Sequence, residues 1–569
     1  MFTNLIILTL SYLFVTFSLL GYGLLFERLF KKNHKIINLG FSGLYGILIL
    51  LIYSYISNFF IPHSINHNFI LILFGFILFV LLNVKNIHIN YSKDNILTLI
   101  IALIILSSLL LAKNHDDFPY YHFPYTYYLT QESLHIGIGQ FGHGFRTPSS
   151  IFYLNSLFYL PFVEYFSFNF GQAIIFCFAN IILLKNINSF FINFKTNKTQ
   201  LNYLNYLSLL AFIFINIFFY RISEHGTDRS AQILIFIFII ELLKFFYFKN
   251  KKNIDLSNIF LISILIISLK AFYIIYGIFF ILILIFIFFI KKKLFLTLKI
   301  IIINKYFLLF SILFCLTILT YFFNTGCLIY PLATSCIDTL SWSISISDVK
   351  HMNNWYELWS KAGATPNFRV ENTQEYIQYF NWFDGWVERY FFNKVSDFIL
   401  GLIFLIVIIL SIFRKNIYFK NIFKIDNFIL FTYIFIIILF FEWLYNHPAL
   451  RYGGYSIIAL LFFIPVSIIL ETKKISILKI NKYLFVLIFL TISIFFIRNI
   501  YRIEKEIKVY NYKPLTYSFY ILDKNHFRID EQMRDIIENY NECLINSDKC
   551  KLDKKNIVKK FNKIIFINN

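Results

Sequence analysis

Residues 115–125 read HDDFPYYHFPY and follow directly on LTLIIALIILSSLLLA, a run apolar enough to cross a bilayer. Asp116 and Asp117 are adjacent carboxylates at the exit of that run. Charge is costly beside hydrocarbon and like charges repel, so this pair needs water or cationic partners. A carboxylate so placed can take the proton of an attacking hydroxyl, work that contributes roughly 100- to 10,000-fold to a rate. Tyr121 and His122, four and five residues on from Asp117, are in register to contact the same hydroxyl. Cations that could face a phosphate stand elsewhere: Lys270 in SLKAFY, and Arg451, followed by Tyr452, in HPALRYGGY. Arg offers a fork of donors matched to phosphate oxygens, Lys a compact charge. RISEHGTDRS gathers Glu224, His225 and Asp228, which could contact an acceptor or hold a divalent cation. Each feature also has a plain reading: acids ending a helix in an aromatic belt, a lysine snorkelling to the interface, a solvated polar turn.

These residues lie far apart in the chain, and a membrane-spanning bundle must bring them together. Of 569 residues 58% are hydrophobic, and the mean hydropathy is +0.67, the composition of a polytopic membrane protein. Apolar runs near the roughly 17 to 25 residues that span hydrocarbon recur at 3–25, 38–61, 68–84, 96–112, 171–184, 203–220, 231–248, 256–269, 271–290, 306–323, 397–413, 427–445, 455–470 and 483–498. They predict an all-α polytopic fold of about fourteen helices. N-terminal helices occupy 1–95, a transmembrane core with its loops 96–499, and a soluble tail, helical around DEQMRDIIENYNE, 500–569.

The net charge of +21 does not point to nucleic acid, because the basic residues alternate between loops. Arg28–Lys35, Lys85 and Lys93, Lys185–Lys198, Lys244–Lys252, Lys291–Lys305, Arg414–Lys424 and Lys473–Lys482 hold 26 of them and the intervening loops 11. That asymmetry puts the first set in the cytoplasm and the N-terminus outside. MFTN lacks the positive n-region of a secretory signal, so the first helix is expected to stay as an anchor. Every chemically unusual loop (113–150, 221–230, Lys270, 324–395 and 446–454) then falls on the external side. Cys327 and Cys336, and Cys543 and Cys550 in the tail, could form two disulfides there.

Two further stretches are more than connectors. SIFYLNSLFYLPFVEY, 151–166, is short and broken at Pro161, and reads as a membrane-surface or re-entrant helix. Residues 324–395 are rich in Trp and Tyr, as amphipathic segments at headgroup level are. There is no repeat of solenoid length and no nucleotide-binding glycine loop.

The pattern D-x-x-x-Y-H-x-P at Asp117, Tyr121, His122 and Pro124 resembles the signature of the GT-C membrane glycosyltransferases, particularly the bacterial branch that uses polyprenyl-phosphate sugars. GCLIYP at 326–331 resembles that branch's G-x-x-x-Y/F-P stretch, and HPALRYGGY its P-x-x-R-Y/F motif. The resemblance implies a GT-C-like helical bundle whose external loops carry short interfacial helices. It implies Asp117 as general base, and an inverting hexosyl or pentosyl transfer from a polyprenyl-phosphate-linked sugar to an envelope glycan, lipid or protein. It places the protein in the bacterial inner membrane with its active site facing the periplasm. Asp116, Tyr121, His122, Arg146, Lys270, Arg451 and Tyr452 are the expected substrate contacts. No cofactor or metal is called for, a divalent cation being the lesser reading. Three helices come before the one that leads into the catalytic loop, where that family usually has that one alone, which leaves the correspondence of core helices open. Competing readings are a lipid or oligosaccharide flippase or transporter, and an O-antigen polymerase or ligase. The former places ionisable residues near the midplane, whereas here the helix interiors are almost free of charge. The latter's arginine-rich loop is not matched in 324–395, where acids outnumber bases.

Overall fold

The computed structural model describes residues 3–30, 38–85, 89–192, 202–224, 226–247, 255–413, 427–471, 477–516, 557–560 and 563–567. Each of the fourteen apolar runs is a helix. Eleven are long and apolar enough to cross a membrane; Tyr203–Phe218 and Ser257–Leu269 are apolar but shorter, and Ile89–Leu109 completes the set. The protein is therefore a multi-pass, almost wholly helical membrane protein. Its described strands form two short hairpins, Ala364–Thr365 with Phe368–Arg369 and Ile557–Lys560 with Lys563–Phe566.

The helix Phe170–Ile192 sits at the centre, apolar on every side and packed by Leu39–Phe60, Ile89–Leu109, Tyr203–Phe218 and Thr227–Tyr247. A helix without a polar face must be covered by protein or lipid; this one is covered by protein, while Ile65–Lys85 and Lys305–Thr325 leave most of their surface bare. The helices Thr3–Phe30, Leu39–Phe60 and Ile65–Lys85 approach one another backbone to backbone. Gly23 and Gly46 face the carbonyls of Ser42 and Leu19 so closely that no Cβ fits. Small residues permit such contact where lipid supplies no hydrophobic drive.

One segment narrows the expectation and another departs from it. Ser150–Ser156 is a short helix whose residues are all buried, with the Tyr153 carbonyl accepting from Ser54 Oγ at 2.7 Å. Of the two placements expected, surface or re-entrant, this burial fits the second, because its polar groups find partners inside. The helix Ile477–Tyr510 continues twelve residues beyond the apolar run, and Ile557–Lys560 and Lys563–Phe566 are strands. DEQMRDIIENYNE, Cys543 and Cys550 lie outside the described residues.

One end of the bundle is organised by its loops. Gly137 N–H donates to the Phe323 carbonyl at 2.6 Å, Asn324 Nδ2 to the Phe145 carbonyl at 3.0 Å, and Ser149 Oγ to the Leu269 carbonyl at 2.6 Å. The second hairpin adds to the same assembly: Ile136 N–H donates to Ile564 at 3.0 Å and Phe566 N–H returns a bond to Ile136 at 2.9 Å. The segments 113–150, Lys270, 324–345 and 563–566 are thus one construction.

Candidate active site

Asp117 stands where Ile89–Leu109 has ended and the tight turn Phe118–His122 begins, with Pro119 in that turn's first residues. Its backbone N–H donates to His115 Nδ1 at 3.1 Å, and its carboxylate Oδ2 lies 3.6 Å from the same nitrogen. Asp228 opens the helix Thr227–Tyr247, where a negative charge suits the helix dipole. Lys270 is the extended residue between Ser257–Leu269 and the stretch Ala271–Ile278. Arg451 lies in the short turn Leu450–Tyr452, closed by Gly453 at φ 98°, a conformation that favours glycine.

These four side chains, drawn from positions 117 to 451, form a continuous row. Arg451 Nη2 donates to Asp117 Oδ2 at 3.0 Å and Arg451 Nε pairs with Asp228 Oδ2 at 3.3 Å; Lys270 Nζ pairs with Asp228 Oδ1. Tyr121 Oη reaches Asp117 Oδ2 at 3.4 Å. The Tyr452 ring carries Lys270 Nζ at 4.4 Å and the Arg451 guanidinium at 5.4 Å from its centroid. Two carboxylates and two cations alternate, so the row's formal charge is zero. Arg451 touches Asp117 directly and bridges it to Asp228.

Electrostatics follow from this crowding. Burial disfavours the Arg451 charge, but Tyr452, Asp228, Tyr121 and Asp117 around it push its pKa upward. Burial lowers His122 to about 4 despite the nearby charges of Asp117 and Asp228, so it is a neutral imidazole at pH 7. Its Nε2 is buried without a hydrogen-bond partner. Burial likewise lowers His115, against the pull of Asp117.

The other expected residues are placed as follows. Asp116 turns to solvent, 82% exposed, and pairs with Lys113 at 3.0 Å; it is not in the row. Glu224, four residues before Asp228, points the other way: its side chain is 2% exposed and meets Arg221 Nε at 2.8 Å and Arg502 Nη1 at 3.8 Å. It ties the loop to the helix Ile477–Tyr510, where Arg502 also pairs with Glu506 at 3.1 Å. His225 lies outside the described residues, and no cluster of three metal-ligating side chains occurs among those described. Cys327 and Cys336 are disulfide-bonded. Arg146 stands apart from the row, its Nε donating to the Gly139 carbonyl at 2.9 Å.

Sequence reasoning missed the groups that strap the Arg451 turn. Gln232 Nε2 donates to the Arg451 carbonyl at 3.0 Å while its Oε1 accepts from Ser456 N–H at 3.2 Å. Leu450 N–H donates to Tyr390 Oη at 3.0 Å, Trp386 Nε1 to the Pro448 carbonyl at 2.9 Å, and Trp443 Nε1 to the Ala449 carbonyl at 3.0 Å. Their types gave one signal, since buried Trp, Tyr and Gln in apolar helices must find partners, but not which partners.

Against known proteins, a family model described as Domain of unknown function (DUF8201) matches residues 5–458. The match takes in the N-terminal helices, Asp117, Asp228, Lys270 and Arg451. No curated protein and no solved structure matches the chain.

Proposed function

The chain belongs to the DUF8201 family, and we propose that it is an inverting glycosyltransferase that moves a sugar from a polyprenyl-phosphate donor to an envelope acceptor. The observation that carries this reading is the row Asp117–Arg451–Asp228–Lys270, assembled from four separate loops at one end of the bundle. A carboxylate, a guanidinium and an ammonium gathered there are the groups that removal of a hydroxyl proton beside a departing phosphate requires. The position at the bundle's end, not half-way along it, favours chemistry at a membrane surface over transport through the interior.

In this reading the acceptor hydroxyl gives its proton to the Asp117 carboxylate as its oxygen bonds to the sugar's anomeric carbon. The bond from that carbon to the phosphate oxygen breaks, and its electron pair leaves with the lipid phosphate. Attack opposite the leaving group inverts the centre, and no separate acid is needed. Asp117 can take the proton only if Arg451 loosens its hold, and Arg451 keeps a second carboxylate, Asp228, when it does. Lys270 lies about a turn before Ile274, which is 36% exposed, so a donor could approach along the membrane plane. The face carrying the site is the external one by the distribution of basic loops.

Single cysteines placed at 117 and 451 test the orientation: labelling only from the cytoplasm would end the reading. Transfer is tested with radiolabelled polyprenyl-phosphate sugar in membranes of producing cells. An Asp117→Asn protein as active as wild type would remove the base assigned here.

A further inference from the structure

Lys270 and Arg451 are each in contact with a carboxylate, so neither offers an uncompensated charge to an incoming anion. Arg146 does. It makes no ion pair among the described residues; its Nε donates to the Gly139 carbonyl at 2.9 Å, which fixes the guanidinium, and its neighbour is the neutral phenol of Tyr330. Around it stand groups able to donate to the same ligand. Tyr330 is 2% exposed and its hydroxyl closes no hydrogen bond of ordinary geometry, with the Arg146 guanidinium beside it. Tyr356 neighbours Tyr330, Arg146 and Tyr452, and its hydroxyl lies 3.4 Å from His143 Nε2. Burial and the Arg146 charge keep His143 neutral.

Separate elements hold these groups in place. The Cys327–Cys336 disulfide closes the loop that carries Tyr330, and the helix Ile346–Ser360 carries Tyr356. Tyr356 lies within electrostatic reach of Tyr452, whose ring lies under Lys270, and Gly144, beside His143, packs on Tyr121, so the patch and the row share one end of the bundle.

We propose that Arg146, Tyr330, Tyr356 and His143 form an anion subsite that takes a phosphate group, adding a cation free of any carboxylate to the carboxylate-paired Lys270 and Arg451. Planar guanidinium nitrogens and phenolic hydroxyls match phosphate oxygens in number and direction. The subsite rests on the glycosyltransferase reading for the source of that phosphate, a polyprenyl-phosphate donor. It also supplies what the row lacks, a phosphate position apart from the base.

The test is binding of a sugar-free, short-chain polyprenyl phosphate to the full-length protein in nanodiscs, with inorganic phosphate as a parallel arm. Arg146→Gln should weaken binding of the lipid phosphate roughly 10- to 100-fold, the worth of hydrogen bonds to a charged group. Tyr330→Phe, which removes one hydroxyl and little else, should weaken it about threefold or more. Arg146-dependent binding of the lipid phosphate with none of inorganic phosphate supports a membrane-borne ligand. The same dependence for inorganic phosphate alone keeps the subsite and overturns its lipid source. If wild type and Arg146→Gln bind the lipid equally, the subsite is wrong while the donor class stands. If wild type binds neither ligand, both fall.

Discussion

Replacing Asp117 by Asn keeps the side chain's shape and removes its charge, and the structure sets two different scales for the consequences. The Asp117–Arg451 contact is 3.0 Å long, but the two side chains are 30% and 44% exposed. After solvent screening such a pair contributes about 0–1 kcal/mol to stability. Arg451 is also not orphaned, since Asp228 still meets its Nε at 3.3 Å. The melting temperature of the detergent-solubilised protein should therefore fall by about 2 °C or less. Loss of a general base costs roughly 100- to 10,000-fold in rate, or about 3 to 5 kcal/mol of activation free energy. The assay pairs release of polyprenyl phosphate from labelled donor with a melting curve on the same preparation. A variant that keeps more than about a tenth of wild-type turnover refutes the base. A variant whose melting temperature collapses together with its activity refutes the division between the row's chemistry and its folding.

Three further outcomes follow from other parts of the molecule. Glu224→Gln leaves Arg502, 6% exposed, with only Glu506 for compensation; it should cost about 3 kcal/mol, read as a lower melting temperature, and an unchanged melt would show that the loop is held otherwise. Cys327→Ser with Cys336→Ser opens a loop of sequence separation 9, which should cost about 2–3 kcal/mol, and thiol labelling of the unreduced wild type should leave both sulfurs unmodified. His122 is depressed to about 4, so the unfolded chain, titrating near 6.5, binds its proton first. Stability is then fully present above about pH 6.5 and falls toward pH 4 at about 1.4 kcal/mol per pH unit. His122→Gln should flatten that acid limb, and identical limbs in the two proteins would show that another group is responsible.

The helices were readable because a bilayer demands continuous apolar runs, and even the short run at 256–269 is a helix, Ser257–Leu269. Asp117, Lys270 and Arg451 stood out because a charge where a helix leaves lipid is costly and so asks for a reason. Their direct contact was not readable. Asp228 and Glu224, four residues apart in one run of polar letters, differ only in which way the turn aims them, and that is set by Lys270 and Arg502, which lie far along the chain. Asp116 and Asp117 are the same case in two adjacent residues. The strands at Ile557–Phe566 were hidden because IVKK and KIIF are too short to show a period, and their partner, Ile136, is remote.

That pairing bears on how the molecule is made. Lys563 Nζ reaches Ser133 Oγ across 430 residues of sequence, and Ile136 shares backbone bonds with the strand that follows Lys563. All fourteen helices precede that strand on the ribosome. A nascent chain interrupted before residue 557 would insert every helix yet leave the loop leading to Arg146 unlatched, an embedded but unfinished protein. Closure of the face that carries Arg146 would thus wait for a strand made only after those helices.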